Sequence, residues 1–184
     1  MEEKKIRQAF LKIKQDIESL RREIFNIKNK NNEKDDKKQK IIVTSGYFDP
    51  LHKGHIECFQ KAKALGGKLI VILNSDEQAI KKKGYVFMPQ ADRIAVIKSL
   101  KPVDEVFLSI DKDLSVCESL RFLNPDIFAK GGDRTKKEVP EAKICKELGI
   151  KMIDGLGKKV QSSSELVEKS RLIEKKSKNA KLSS

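Results

Sequence analysis

The chain lacks several features that mark common classes of protein. It has no run of about 18 consecutive apolar residues, so we expect no membrane-spanning helix. Its first residues include two acids and no uninterrupted apolar stretch, so we expect no secretory signal. No GxxxxGK[ST] segment occurs, which disfavours P-loop kinases and ATPases, and no GxGxxG follows the first predicted strand, which disfavours dinucleotide-dependent oxidoreductases.

Cysteine is also scarce. Cys58, Cys117 and Cys145 are odd in number, far apart in the sequence and without CxxC spacing. Each lies among apolar residues, as small core residues do. We therefore expect free thiols in a reducing compartment and a cytoplasmic location.

Positive charge is in excess, and most of the excess lies near the ends of the chain. The formal net charge is +13. Residues 1–40 carry 13 Lys/Arg against 8 Asp/Glu, and residues 158–184 carry 8 against 3. Residues 41–157 carry 19 against 16. A nucleic-acid-binding or scaffold protein that uses basic tails remains an alternative, but the distribution favours solvated tails, and a local phosphate site in the middle segment is compatible with these totals.

The N-terminal segment has the period of a coiled coil. Apolar residues alternate at spacings of four and three: Ile6, Phe10, Ile13, Ile17, Leu20, Ile24 and Ile27. The pattern predicts an amphipathic helix over residues 1–28. This helix either forms a homodimer through residues 6–27 or folds back onto its own domain. Residues 29–40 contain no apolar side chain and are predicted to be a charged linker.

The rest of the chain predicts one α/β domain over residues 41–173, followed by a loose basic tail over 174–184. Strand-like runs occur at 41–45, 68–73, 105–108, 126–129 and 150–153, and helical spacings at 54–65, 90–100, 114–122, 140–148 and 163–173. Strands that alternate with helices indicate a five-stranded parallel sheet. Ligands bind such sheets beyond the carboxyl ends of the strands, which selects the loops at 46–55, 74–89 and 130–138.

Both histidines of the chain lie in the first of these loops. GYFDPLHKGH, residues 46–55, places His52 before the first helix and His55 in its first turn. Free N–H groups and the helix dipole attract phosphate there, Gly54 leaves room for an anion, and Lys53 adds positive charge. Two imidazoles at this spacing can donate hydrogen bonds to phosphate oxygens. A zinc site would lack its full set of ligands, and we predict no metal bound by the chain itself.

GYFDPLHKGH resembles the signature of the cytidylyltransferase-like nucleotidyltransferase superfamily, in which a His-x-Gly-His element follows the first strand. KLIVILNSDE, residues 68–77, is similar to the second strand of that family and its Asn-Ser-Asp turn. PDIFAKGGD, residues 125–133, resembles heptose-phosphate adenylyltransferases, and the group also includes glycerol-phosphate cytidylyltransferases. The resemblance covers about residues 41–173 and implies a Rossmann-like fold.

The resemblance also implies roles for individual residues. Contacts with the reacting phosphates are expected from His52, His55, Lys82 and Arg93. Nucleotide binding is expected from Tyr47, Phe48, Lys53, Gly54, Lys83, Ser162, Ser163 and Ser164, and acceptor binding from Lys130, Gly131, Gly132 and Asp133. Structural roles remain open for several of these: the lysines can be solvated charges, Arg93 can pair with a surface acid, and the serines can cap a helix.

The implied reaction is nucleotidyl transfer. A phosphate of the acceptor attacks the α-phosphate of a nucleoside triphosphate, and pyrophosphate leaves, with Mg²⁺ bridging the triphosphate. The Lys-Gly-Gly-Asp element favours ATP and a sugar phosphate as substrates. CTP with a polyol or amino-alcohol phosphate is an alternative, although residues 157–161, GKKVQ, depart from the Arg-Thr-x-Gly-Ile stretch of cytidylyltransferases. A flavin-nucleotide adenylyltransferase is a further alternative, and the acceptor stays open.

Overall fold

A computed structural model of the chain describes residues 6–8, 12, 15–16, 19–20, 22–23, 39–131, 139–156 and 163–182, with backbone alone from 174 onward. The chain divides into two units, Met1–Gln39 and Lys40–Ser184. No helix in the described part is long and apolar enough to cross a membrane.

The described residues of the first unit between 6 and 23 are helical, as the apolar period predicts. Ile6 and Leu20, two positions of the apolar stripe, are 64% and 57% exposed. The other five stripe positions and residues 24–38 lie outside the described residues, so homodimer formation and the linker stay predictions.

The second unit contains a five-stranded sheet. Its strands are β1 (Ile41–Gly46), β2 (Lys68–Leu73), β3 (Glu105–Leu108), β4 (Ile127–Ala129) and β5 (Lys151–Ile153). Their order is β3-β2-β1-β4-β5, and every neighbouring pair is parallel, which confirms the predicted architecture. β1 and β2 are near-continuous apolar runs because helices cover both faces of the central strands. The strand order reverses between β1 and β4: β2 and β3 lie on one side of β1, and β4 and β5 lie on the other. Ligands bind at this position in such folds.

Within the described part of the second unit, six helices accompany the sheet: α1 (Lys53–Lys63), α2 (Asp76–Lys83), α3 (Gln90–Lys98), α4 (Cys117–Leu123), α5 (Glu141–Glu147) and α6 (Ser163–Leu182). The apolar core lies between them and the sheet, with Ile42, Phe59 and Leu69 fully buried. Cys58 and Cys145 are buried and all three cysteines are free, in line with the core role expected of them.

Two elements differ from the sequence-based expectation. α2 lies inside a segment that was predicted to be a loop, because its sequence DEQAIKKK has too few apolar residues to show a helical period. It forms because the Ser75 side chain accepts from the Gln78 N–H at its start, and Gly84, at φ 79°, ends it. α6 continues to Leu182, so part of the predicted loose tail is helical.

Candidate active site

A cavity of about 620 Å³ opens at the carboxyl ends of the strands. One wall combines the end of β1 and the turn after it, the end of α2 and the start of α6, and includes Tyr47, Phe48, His55, Lys82, Lys83, Tyr85, Ser163 and Ser164. The second wall, formed by the segment before α4, the end of β4 and the start of α5, includes Leu114, Val116, Lys130 and Glu141. Position at the strand ends therefore predicted the location of the cavity correctly.

The turn after β1 is shaped by an aromatic side chain. Phe48 has a φ of 50°, which is unusual for a residue with a side chain. Its ring meets the His55 ring edge-on at 4.9 Å and the Phe59 ring at 5.1 Å, between centroids. A Cβ on Gly46 would lie 2.8 Å from Phe48 Cζ, so only glycine leaves room for this ring. Phe48 thus connects the core to His55 and fixes one side of the imidazole.

The two histidines stack on each other. Their ring centroids are 3.6 Å apart with 20° between the planes. The His52 backbone N–H donates to His55 Nδ1 at 3.3 Å, so neutral His55 carries its proton on Nε2. A Cβ on Gly54 would lie 3.3 Å from the His52 ring, so the glycine makes room for the imidazole. Of the pair, His55 lines the cavity; His52, from which a phosphate contact was also expected, is not among the described lining residues and stacks on His55.

Both imidazoles are neutral near pH 7. Burial, together with the smaller effects of the nearby His52 and Lys83, lowers the pKa of His55 to about 3. Burial also lowers the pKa of His52. His55 therefore acts as a neutral Nε2–H donor over the physiological range, and the positive charge of the cavity wall comes from lysines.

Lys83 is held in place more firmly than Lys82. Its Nζ donates to the Asp49 carbonyl at 2.9 Å and lies 5.4 Å from the centroid of the Tyr47 ring. Burial lowers the pKa of Lys83, while the Asp49 carboxylate opposes that shift. Lys82 lines the same wall with an exposed side chain. The lysine-rich end of α2 therefore supplies one hydrogen-bonded ammonium group, on Lys83, and one exposed ammonium group, on Lys82.

Asp49 connects the segment after α2 to the histidine turn, the segment of residues 46–55 that carries His52 and His55. It is fully buried, and its carboxylate accepts from the Met88 N–H at 2.7 Å and the Phe87 N–H at 3.0 Å. Sequence reasoning did not single out Asp49. No local pattern distinguishes such an acid from an ordinary turn aspartate, because its partners are almost forty residues away.

Arg93 differs from the phosphate contact expected of it. Its side chain is fully buried, and its guanidinium donates to the carbonyls of Tyr47, Asn74 and Met88 and to the Asp76 carboxylate. The family motif located Arg93 correctly but could not give the direction of its side chain. The structure corrects the expectation: Arg93 positions the segments that form the cavity wall, behind the surface that a substrate would touch.

Lys53 also differs from its expected place in the site. Its side chain is 78% exposed and pairs with Glu57, one helical turn later, at 3.6 Å. It points to solvent because it occupies the first residue of α1 on the side away from the core. Lys53, Gly54, Arg93 and Gly131 are not among the described residues that line the cavity.

The start of α6 forms part of the cavity wall that also carries His55 and the lysines. The Ser163 hydroxyl donates to the Pro50 carbonyl at 2.9 Å, which links α6 to the histidine turn. The Arg171 guanidinium lies 4.9 Å over the Tyr85 ring, which lines the cavity. Ser163 and Ser164 thus lie where the sequence motif predicted them. Ser162, Gly132 and Asp133 lie outside the described residues.

The second wall carries a buried ion pair that sequence reasoning missed. Lys130 Nζ lies 3.3 Å from Glu141 Oε2, and the two side chains are 16% and 9% exposed. Glu141 Oε1 accepts from the Val116 N–H at 3.3 Å. The Pro140-Glu141 dipeptide indicated only a helix start, so nothing in the local sequence marked Glu141 as a partner of Lys130.

Three comparisons with known proteins agree with this geometry. A family model described as cytidylyltransferase-like matches residues 43–181. A protein named bifunctional protein HldE from a Nitratiruptor species is 39% identical over 135 residues, which are 72% of this chain and 28% of that protein. A protein of the same name from Wolinella succinogenes is 41% identical over 133 residues, 71% of this chain and 27% of that protein. The chain thus spans little more than a quarter of these relatives.

A solved structure is also similar. The lipopolysaccharide core biosynthesis protein from Thermoplasma volcanium GSS1 has a TM-score of 0.54 and 26% sequence identity. The match covers 63% of this chain and 95% of that one. The similarity therefore extends over nearly the whole of that protein.

Proposed function

Because the chain belongs to the cytidylyltransferase-like family, a family of nucleotidyltransferases, we propose that it transfers AMP from ATP to a sugar 1-phosphate and releases pyrophosphate. The observation that carries the proposal is the phosphate wall of the cavity: His55, Lys82, Lys83 and the start of α6 face one space at the carboxyl edge of the sheet. This wall combines two cations, a neutral N–H donor and a helix N-terminus, all of which favour phosphate oxygens.

The chemistry follows from positioning and charge. An oxygen of the acceptor phosphate attacks the α-phosphorus of the nucleotide, the bond from the α-phosphorus to the bridging oxygen breaks, and pyrophosphate leaves with that oxygen. Negative charge builds on the equatorial and leaving oxygens. The Nε2–H of His55 and the ammonium groups of Lys82 and Lys83 are the groups of this chain that can stabilise it. His52, Phe48 and Arg93 act through these groups by holding the wall in shape.

The choice of ATP and a sugar phosphate rests on resemblance. The Lys-Gly-Gly-Asp element of residues 130–133 is similar to heptose-phosphate adenylyltransferases, and the curated relatives carry the name bifunctional protein HldE. A heptose 1-phosphate is therefore the first acceptor to test. CTP with a polyol or amino-alcohol phosphate is the second candidate, since the family model is named for cytidylyltransferases.

Magnesium is the ion that the family resemblance implies, and it would arrive with the nucleotide. Within the described ranges, no three His, Cys, Asp or Glu side chains lie together as a metal-binding group. Mg²⁺ binds mainly through phosphate oxygens and water in many nucleotide sites, which is the arrangement we propose.

The test is pyrophosphate release from each of ATP, CTP, GTP and UTP with magnesium, against heptose 1-phosphate, hexose 1-phosphates, glycerol phosphate and phosphocholine. We expect release with ATP and a sugar 1-phosphate, and a loss of about 100-fold or more in His55→Asn. Release with CTP and glycerol phosphate would instead favour the second candidate. A folded chain that binds none of the four nucleotides would contradict the proposal and favour the basic-tail alternative, whose nucleic-acid affinity should fall steeply with salt.

A further inference from the structure

The two walls of the cavity differ in charge. The phosphate wall carries Lys82 and Lys83 and a neutral His55. Among the described residues, the second wall has one ammonium group, Lys130, already paired with the Glu141 carboxylate. Because Lys130 already shares its charge with a carboxylate, this pair attracts a phosphate group less than the lysine wall does, and it is better suited to an uncharged, polar part of a substrate.

A second carboxylate lies near this pair. Burial raises the pKa of the Cys145 thiol to about 11, and the carboxylates of Glu141 and Asp154 raise it in the same direction, which places both acids close to that thiol. The Asp154 oxygens are buried, with no hydrogen-bond partner in the part of the chain that the structure describes. Among the described residues, two acids and one ammonium group, Lys130, therefore lie near this thiol.

The Lys130–Glu141 ion pair is complementary to a hydroxyl group of a ligand. Lys130 Nζ and Glu141 Oε2 are 3.3 Å apart, and both residues line the cavity. An ammonium group has three N–H donors and a carboxylate oxygen has two lone pairs, so the pair can bind a ligand without separating. A sugar hydroxyl accepts from the ammonium group and donates to the carboxylate at once. Neighbouring hydroxyls on one ring can occupy the donor and the acceptor side by side.

We propose that Lys130 and Glu141 form a hydroxyl-binding site for a sugar ring of the substrates, with Glu141 as a specificity-determining residue that favours ligands carrying those hydroxyls. The inference rests on the proposed function and deepens it. The substrate would span the cavity, with its phosphates on the lysine wall and a sugar ring on the Lys130–Glu141 wall. The hydroxyls come either from the ribose of the nucleotide or from the acceptor sugar, and both present neighbouring hydroxyl groups.

A structural role alone is the competing explanation. Glu141 joins the end of β4, through Lys130, to the start of α4, through the Val116 N–H. A residue that only joins these elements would affect every ligand of the cavity alike when it is changed. A residue that binds hydroxyls would affect only ligands that carry them. The difference can be measured by pairing each variant with ligands that have and lack the hydroxyls.

The experiment is calorimetric titration of the full chain with two pairs of probes. The nucleotide pair is ATP and 2′,3′-dideoxy-ATP, and the acceptor pair is heptose 1-phosphate and inorganic phosphate. Glu141→Gln keeps the side-chain size and an oxygen for the Val116 N–H. We expect it to weaken the hydroxylated member of one pair about 10- to 100-fold and to leave its hydroxyl-free member unchanged. The pair that responds identifies the source of the hydroxyls.

Glu147→Gln is the matched control. Glu147 forms the exposed ion pair with Arg121 that also joins α4 and α5, at 3.7 Å, away from the cavity. All four affinities should stay at the wild-type values in this variant. An equal loss for both members of each pair in Glu141→Gln, or no loss in either pair, would overturn the hydroxyl site.

The wild-type chain provides a test that does not depend on a variant. Equal affinity for both members in both pairs overturns the inference even if Glu141→Gln does not fold. Selective binding without pyrophosphate release supports the hydroxyl site and overturns the proposed function. Pyrophosphate release without any preference for the hydroxylated ligands supports the proposed function and overturns the hydroxyl site. Absence of binding by ATP and by heptose 1-phosphate overturns the hydroxyl site and the proposed function.

Discussion

His55 should make the protein less stable in mild acid. Its pKa falls from 6.5 to about 3 on folding, so between these values the unfolded chain binds a proton at this side chain and the folded chain does not. The free energy of unfolding therefore decreases as pH falls through this window. The full window corresponds to about 5 kcal/mol, and the part between pH 6.5 and 4.5 to about 2 kcal/mol, at about 1.4 kcal/mol per pH unit. Above pH 6.5 the contribution is complete.

The assay is urea unfolding at pH 4.5, 5.5, 6.5 and 7.5 for the wild-type chain and His55→Asn. Asparagine offers an oxygen near the Nδ1 position, which can still accept from the His52 N–H, but it does not titrate. Carboxylates contribute to the acid loss in both chains, so the prediction concerns the difference between the two curves. The wild-type curve should fall more steeply by about 2 kcal/mol between pH 6.5 and 4.5. Parallel curves would show that burial does not hold His55 neutral, and the neutral-donor role would then be refuted.

Four further predictions concern other residues. Arg93→Met should lower the free energy of unfolding by about 3–5 kcal/mol in urea titrations, because it leaves three carbonyls and a carboxylate without their donor. Lys83→Met should lower kcat/KM by about 100-fold while the urea midpoint stays close to that of Lys81→Met, the exposed control. Asp154→Ala should raise the free energy of unfolding by about 1–3 kcal/mol, since it removes a buried carboxylate without partners among the described residues. Removal of residues 1–39 should change the chain from a dimer to a monomer in light scattering if the N-terminal helix forms the homodimer, and an unchanged number of subunits would exclude that role.

The sheet could be predicted from the sequence because its strands are short apolar runs bounded by turn residues. β2 and β3 have the predicted bounds, and the other strands differ by one residue at one end. α2 could not be predicted from its apolar pattern. Its stability comes from its caps and from Gln78, which is buried and donates to the carbonyls of Asp113 and Ser115 thirty-five or more residues away.

The candidate site was predictable in part. The histidine turn, the lysines of α2 and the serines of α6 come together as their positions after successive strands indicated. Asp49, Arg93 and Glu141 show the limit of that reasoning, because the role of each depends on a partner that is distant in the sequence. A motif gives the place of a side chain along the chain, whereas its direction depends on packing that only the folded chain defines.

The strand order has a consequence for how the chain first forms its sheet. Ile42 of β1 pairs with Leu69 on one side and with Ile127 on the other, so one neighbour follows soon after β1 and the second comes only after α2, α3, β3 and α4. During synthesis β1 can pair with β2 early, but its other edge stays open until β4 emerges from the ribosome. That edge is the apolar run IIVTSG, with unpaired backbone N–H and carbonyl groups. A nascent or truncated chain that ends before β4 would expose it, and we expect such fragments to associate through β1 and to need chaperones that cover apolar strands.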